Sequence, residues 1–473
     1  MSRERTRAIR PQSVAEVLVL GGGPAGATAA SLLAAWGHGV HLITRPAAES
    51  RLAVSLPPSC AKLFDAIGIT DVIDRAGFIR STGNTVWWGG GDARVEPFAS
   101  GARGWQLDVS RLSELMLDRG AAIGVRIERR VMTEPLDAPD TFVLDCTGRA
   151  GLVARAKNLR RYDDGPRTIA LIGEWHRDGA WPVPDDTHTL IESYDDGWMW
   201  SVPTSPGTRH VSAMIDPERS DLVRGGPADI YLAEIAKTRV FKQLTADATL
   251  RAGAWGRDAS TYGAREYAGD RWLLVGDAGS FIDPLSSAGV KKALASGWLA
   301  AITAHTWLTA PAMRSHALGF FSAREREIER HFSWESRRFL AAAAQGHSHA
   351  FWGERSDDPR DDWQDGAAIR AAFDRMKASE SFEARVAPGL RIEPRPCIRG
   401  HDIVLEPQIV PRDRAPVRHV RDVDVLVVLE LAPGAREVPG LYEAYLRRQG
   451  PVPLHDFLFA LATAVARGWL VSE

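Results

Sequence analysis

Residues 15 to 26 read AEVLVLGGGPAG, an apolar run that stops at three glycines, a proline, an alanine and a fourth glycine. A short run of this kind suits a strand buried on both faces. The alanine- and leucine-rich stretch that follows suits a helix, and Gly39 to Ile43 (GVHLI) supplies a second strand. Strand, glycine turn, helix and strand in that order predict a parallel α/β unit whose turn cradles a dinucleotide. Gly21 would allow the tight turn, Gly23 the close approach of a diphosphate, and Gly26 the packing of helix on strand, with Pro24 and Ala25 completing the cradle. The helix start would offer unpaired N–H groups and a positive dipole end to the phosphates.

The acid that commonly ends the second strand, where it holds the adenosine ribose, is absent. Thr44 stands in that place and Arg45 follows. A hydroxyl can bond the ribose more weakly, so the nucleotide needs a second strong hold. Residues 271 to 294, RWLLVGDAGSFIDPLSSAGVKKAL, provide one. Arg271 to Val275 reads as another buried strand, and Asp277 after it could accept hydrogen bonds from a polyol. The backbone from Pro284 through Ala288, Gly289 and Val290 could bring N–H groups and a helix start to a flat polar ring. Together these features suit a flavin. Val143 to Arg149 (VLDCTGR) is a third apolar strand ending in a turn, expected beneath the cofactor.

The order and spacing of these segments resemble the FAD-dependent aromatic hydroxylases and their relatives, the flavin-dependent halogenases, over roughly residues 14 to 355. The resemblance implies an FAD enzyme with a Rossmann-type FAD-binding domain, an antiparallel-sheet substrate domain, and a reaction through a flavin hydroperoxide. In halogenases a lysine relays the halogen; in hydroxylases oxygen passes directly to an electron-rich ring. Gly77 to Gly89 (GFIRSTGNTVWWG) is similar to the halogenase pattern GFxxKxGxxFxWG, but Ser81 occupies the lysine position. Arg80 should face away from Ser81, because neighbouring strand residues point to opposite sides. Against this, Gly197 to Pro203 (GWMWSVP) is close to the halogenase signature WxWxIP, which places Trp198 and Trp200 beside the substrate. The missing amine has no evident stand-in, so hydroxylation is the favoured reading and halogenation without the usual lysine the alternative. A protein that merely binds FAD and a partner is a third.

Two more family segments are altered. AVSLPPS at 53 to 59 resembles GESLPPS with Val54 in place of the acid, and DVSRL at 108 to 112 resembles VDRxxFD with Val109 in place of the arginine, leaving Arg111 as a substitute flavin contact. DPLSSAGVKKAL at 283 to 294 is similar to DPLSSxGxxKAL of a branch that modifies tryptophan within proteins, including the monooxygenase that matures quinohemoprotein amine dehydrogenase. That likeness implies an aromatic substrate, in particular a tryptophan side chain of a peptide or protein, oxygenated during quinone cofactor biogenesis. It does not identify a catalytic base. No second G-x-G-x-x-G is visible, so reducing equivalents would come from NAD(P)H directly or from a separate flavin reductase.

The expected domains are FAD-binding residues 1–165, with a substrate-sheet insertion near 80–106; the antiparallel sheet, 166–265; the second FAD-binding part and a helical region, 266–355; a linker with helix, 356–397; and a small helical or winged-helix-like module, 398–473. The stretch from Ser356 to Asp365 reads as an acidic loop. The chain of 473 residues has a formal net charge of -2, which gives no electrostatic case for nucleic acid or an anionic membrane. No signal peptide or spanning segment is evident. Three cysteines without a CxxC or Cys/His cluster fit a reducing, cytoplasmic compartment and argue against zinc. His347 and His349 lack a third ligand at a known spacing, so no metal is expected.

Overall fold

The structure is a computed structural model that describes residues 16–46, 52–135, 140–163, 165–218, 225–356, 365–379, 381–412 and 414–472. The chain divides into two compact units, Met1–Pro359 and Arg360–Glu473. Most of the acidic stretch expected between 356 and 365 lies outside the described residues, and Asp365 already opens a helix, Asp365–Ala378.

In the first unit Val17–Leu20, buried throughout, runs parallel between Phe142–Asp145 and Val40–Thr44. Trp272–Leu274 and Arg126–Arg129 extend this sheet in parallel, and Ala268–Gly269 adds an antiparallel edge. Leu20 and Leu274 both pair with Asp145, so three strands end in line and their following turns open on one crevice. Crevices at the carboxyl ends of parallel strands are where such sheets bind ligands. Helix α1, Pro24–Ala35, crosses from the first strand to the second. Helices α2, Val109–Ala122, and α3, Gly289–Thr309, pack against α1. The α1–α3 approach is close: a Cβ on Gly297 would lie 2.4 Å from the Ala25 carbonyl oxygen. Helix α4, Arg314–Ala344, packs on α3.

Over this sits a seven-stranded sheet in the order Thr249–Asp258, Ile169–His176, Thr208–Ile215, Gly197–Ser205, Thr189–Tyr194, Gly83–Trp87 and Arg94–Pro97. Its pairings are antiparallel except between 189–194 and 83–87, which run parallel because the last two strands arrive from far upstream. Alternation along each strand gives the sheet two faces. One carries Leu171, Leu190, Met199, Val211 and Ala213 and is covered by Tyr231, Ile235, Phe241 and Leu244. The other carries Ala170, Ile172, Trp198 and Met214 and packs with Leu340, Ala343, Phe351 and Trp352. Each Val, Leu, Ile, Met or Phe among them taken out of water contributes about 1.5–3 kcal/mol, which holds the sheet from both sides. A separate three-stranded sheet, Ala53–Leu56, Gly104–Asp108 and Ile79–Ser81, packs beside it.

The second unit gathers Ile409, Val425, Val428, Leu441, Phe457 and Leu461 into its own core. It has a hairpin, Ile392–Arg399 with Asp402–Ile409, and helices Val425–Leu431, Val438–Gln449 and Leu454–Ala466. The β-branched run VLVVLEL is helical because Asp424 caps it, accepting from Leu426 N–H, and because its valines are buried; packing overrides propensity here.

Candidate flavin site

The glycine turn separates positions that close the backbone from one that leaves room. Gly21 has φ +103°, and a Cβ there would lie 2.3 Å from the Cys146 carbonyl oxygen. A Cβ on Gly26 would lie 1.9 Å from the carbonyl oxygen of Gly21. At Gly23 a Cβ would meet nothing within 4 Å. That open space adjoins the first turn of α1, whose N-cap, Gly23, has no side chain to occupy it, with Pro24 and Ala25 beginning the helix. Thr44 is buried against the turn, its hydroxyl 2.7 Å from the Cβ position of Gly22, and Arg45 is exposed beside it.

The next two turns each carry an aspartate. Asp145 is fully buried and accepts from Thr147 N–H at 3.1 Å, the Thr147 hydroxyl at 2.6 Å and Val153 N–H at 2.7 Å. Burial still raises its carboxyl above the ordinary range, with these bonds opposing. Asp277 is 30% exposed, and Lys292 Nζ lies 3.4 Å from its Oδ1. The Lys292 side chain is fully buried and also donates to the Ser280 carbonyl. Tyr262 donates to the Asp277 carbonyl at 2.7 Å, fixing the turn.

Arg257 lies within electrostatic reach of Asp277, Arg149 and Arg45. Burial draws Arg257 below the usual arginine range, repulsion from Arg149 and Arg45 adds to it, and Asp277 opposes. Arg149 lies 3.9 Å over the Phe281 ring and 3.3 Å from Asp258. Beyond it, Asp283 accepts from Leu285 N–H at 2.8 Å and caps the short turn Pro284–Ser286. Ser287 then takes φ 50°, Ala288 caps α3 without a side-chain bond, and Gly289 opens the helix with nothing within 4 Å of its Cβ position. Val290 behind it is buried. An open cradle at one helix start, guanidinium groups between, a half-exposed carboxylate and a second uncapped helix start fit the diphosphate, ribityl chain and ring edge of FAD.

Comparison with known proteins agrees. An FAD-binding domain family matches residues 14–143. A flavin-dependent halogenase of Armillaria mellea is 28% identical over 363 residues, covering 66% of this chain and 69% of that one. The solved structure of the flavin-dependent halogenase CmlS aligns with TM-score 0.79 at 19% identity, covering 97% of this chain and 96% of its own. That of QhpG, a peptidyl tryptophan dihydroxylase essential for tryptophylquinone cofactor biogenesis, aligns with TM-score 0.67 at 22% identity, covering 93% of this chain and all of its own. Residues 14–143 thus carry an FAD-binding domain, and the chain is similar over about two thirds of its length to flavin-dependent halogenases.

Against that likeness the altered positions take on physical meaning. Ser81 is fully buried and its hydroxyl donates to the Gly83 carbonyl at 3.0 Å. Arg80 points the other way, 4.4 Å over the Trp105 ring, and donates to the Arg103 carbonyl. Arg111 donates to the Ala76 carbonyl and lies 5.2 Å from the Phe78 ring. Trp198 and Trp200 share the sheet face that packs with Phe281 and the hinge residue Leu285. Trp200 Nε1 is buried and meets no hydrogen-bond partner among the described residues. His347 bonds Ser193 at 2.9 Å and stacks on Trp352, while His349 caps the helix Ala350–Gly353, so both have structural work. Among the described residues no group of three His, Cys, Asp or Glu side chains could hold a metal, and no helix is long and apolar enough to cross a membrane.

Lys292, Arg149 and Arg257 escaped sequence reasoning as parts of the site. The arginine after the turn DCTG was a usable signal for Arg149. Arg257 had none, because its place depends on the pairing of 249–258 with 169–176.

Proposed function

We propose that the protein is an FAD monooxygenase that hydroxylates an electron-rich aromatic ring, the indole of a tryptophan within a peptide or protein being the favoured substrate. The observation that carries this reading is Ser81: it is buried with its hydroxyl bonded to its own turn, and it offers no amine to carry a halogen. Reduced FAD supplies the activation of dioxygen that ring oxygenation requires. The chain contributes placement. Asp277 holds the polyol, the 284–290 backbone orients the ring edge, and the Trp198–Trp200 face offers an apolar, water-excluding wall against which an aromatic substrate can lie. The fold likeness to a peptidyl tryptophan dihydroxylase supports the choice of substrate. Electrons would arrive from NAD(P)H or a partner reductase. The second reading, halogenation, is favoured by the segment Gly197–Pro203 and by halogenase relatives.

Incubation with reduced FAD, oxygen, chloride, bromide and tryptophan-containing peptides, followed by mass spectrometry, separates the two. A gain of one or two oxygens is expected, unchanged in Ser81→Ala. A chlorine or bromine isotope pattern would replace the hydroxylation reading with the halogenation reading.

A further inference from the structure

Behind Asp277 lies a buried charge arrangement that the binding of a polyol does not explain. Lys292 on α3 is fully buried between the Asp277 carboxylate, the Ser280 carbonyl and Glu325 of α4. Glu325 is itself fully buried, and neither of its carboxylate oxygens meets hydrogen-bond geometry with a described group. The groups that act on it are Lys292 and the Ser296 hydroxyl, which favour its charged form, and Asp277, which opposes it. Ser296 in turn accepts from Gly276 N–H at 2.8 Å, so this set touches the Gly276–Asp277 turn at two points. Burial dominates and pushes the Glu325 carboxyl up to about 7.

We propose that Lys292 and Glu325 are positioning residues of the flavin anchor: Lys292 fixes the Asp277 carboxylate from behind, and Glu325 takes up a proton when FAD binds. The inference rests on FAD occupying the Asp277 turn and is independent of whether oxygen or halogen is transferred. With Glu325 protonated, Lys292 and Asp277 balance; with Glu325 ionised, the trio carries one net negative charge. FAD brings the further negative charge of its diphosphate into the same crevice. Since a buried charge is felt strongly across a few ångströms, binding favours the protonated carboxyl. By linkage, affinity falls as pH rises through 7.

The test is calorimetric titration of FAD into the apoprotein at pH 7 in buffers of different ionisation enthalpy, repeated from pH 6 to 8. The wild type should take up a fraction of a proton and lose about threefold or more in affinity from pH 6 to 8, within the tenfold per unit that one linked proton allows. Glu325→Gln should take up none and bind with flat affinity. Lys292→Met should bind FAD at least about tenfold more weakly, roughly 1.4 kcal/mol. Wild-type proton uptake persisting in Glu325→Gln overturns the proposal, as does full affinity in a folded Lys292→Met. If Lys292→Met does not fold, Glu325→Gln, which preserves side-chain shape, decides alone. A wild-type apoprotein that binds no FAD would instead remove the flavin site itself.

Discussion

Asp145 ends one parallel strand and Asp277 stands three residues beyond the end of its neighbour, yet they are put to opposite uses. Asp145 has no exposure and three donors from its own turn and the helix start after it. Asp277 keeps nearly a third of its side chain open, with one lysine behind it at 3.4 Å. A carboxylate whose lone pairs are filled by its own chain stabilises a turn; one with unfilled lone pairs facing a crevice is available to a ligand. The same residue type at neighbouring strand ends of one sheet thus divides into a part that holds the fold and a part left open for the proposed cofactor.

The sharpest way to break that contrast is Asp145→Ala, which leaves buried N–H groups unpaired. Unfolding by denaturant should show a loss of about 3 kcal/mol or more, and FAD binding should fail only where folding fails. Asp277→Ala should act chiefly on the cofactor: the apoprotein loses less stability than in Asp145→Ala, because Glu325 remains to balance the buried Lys292, while FAD affinity by fluorescence drops about a hundredfold, near 2.7 kcal/mol. Stoichiometric FAD retained by Asp277→Ala would end the distinction. The finest probe is Thr147→Val, which deletes one of the three donors to Asp145 and the acceptor of Leu152 N–H, and should cost about 1–2 kcal/mol of stability with unchanged FAD affinity.

The FAD-binding half was legible because its chemistry is local. Gly21, Gly23 and Gly26 announce a turn through spacing alone, and Asp277, Pro284 and Gly289 lie within fourteen residues of one another. Trp198 and Trp200, two apart on one strand, share a sheet face for the same local reason. Local reading does not reach the Arg111 bond: a helix start gives no indication that its guanidinium will meet the Ala76 carbonyl. Glu325 was invisible for a similar reason, since it reads as one more charge in a polar helix until α4 is laid against α3. The parallel junction of 189–194 with 83–87 was unreadable because it joins segments about a hundred residues apart with no turn between them.

That junction, together with the late position of Trp272–Leu274, bears on how the molecule comes into being. The amino-terminal glycine turn leaves the ribosome well before the carboxylate at 277, and the strand Phe142–Asp145 is uncovered on one side until 272–274 has been made. Closing loops of this length is slow, and incomplete parallel sheets expose apolar strands while they wait. Cofactor capture should therefore come late in synthesis, and nascent chains truncated before residue 277 should emerge without flavin and prone to aggregate.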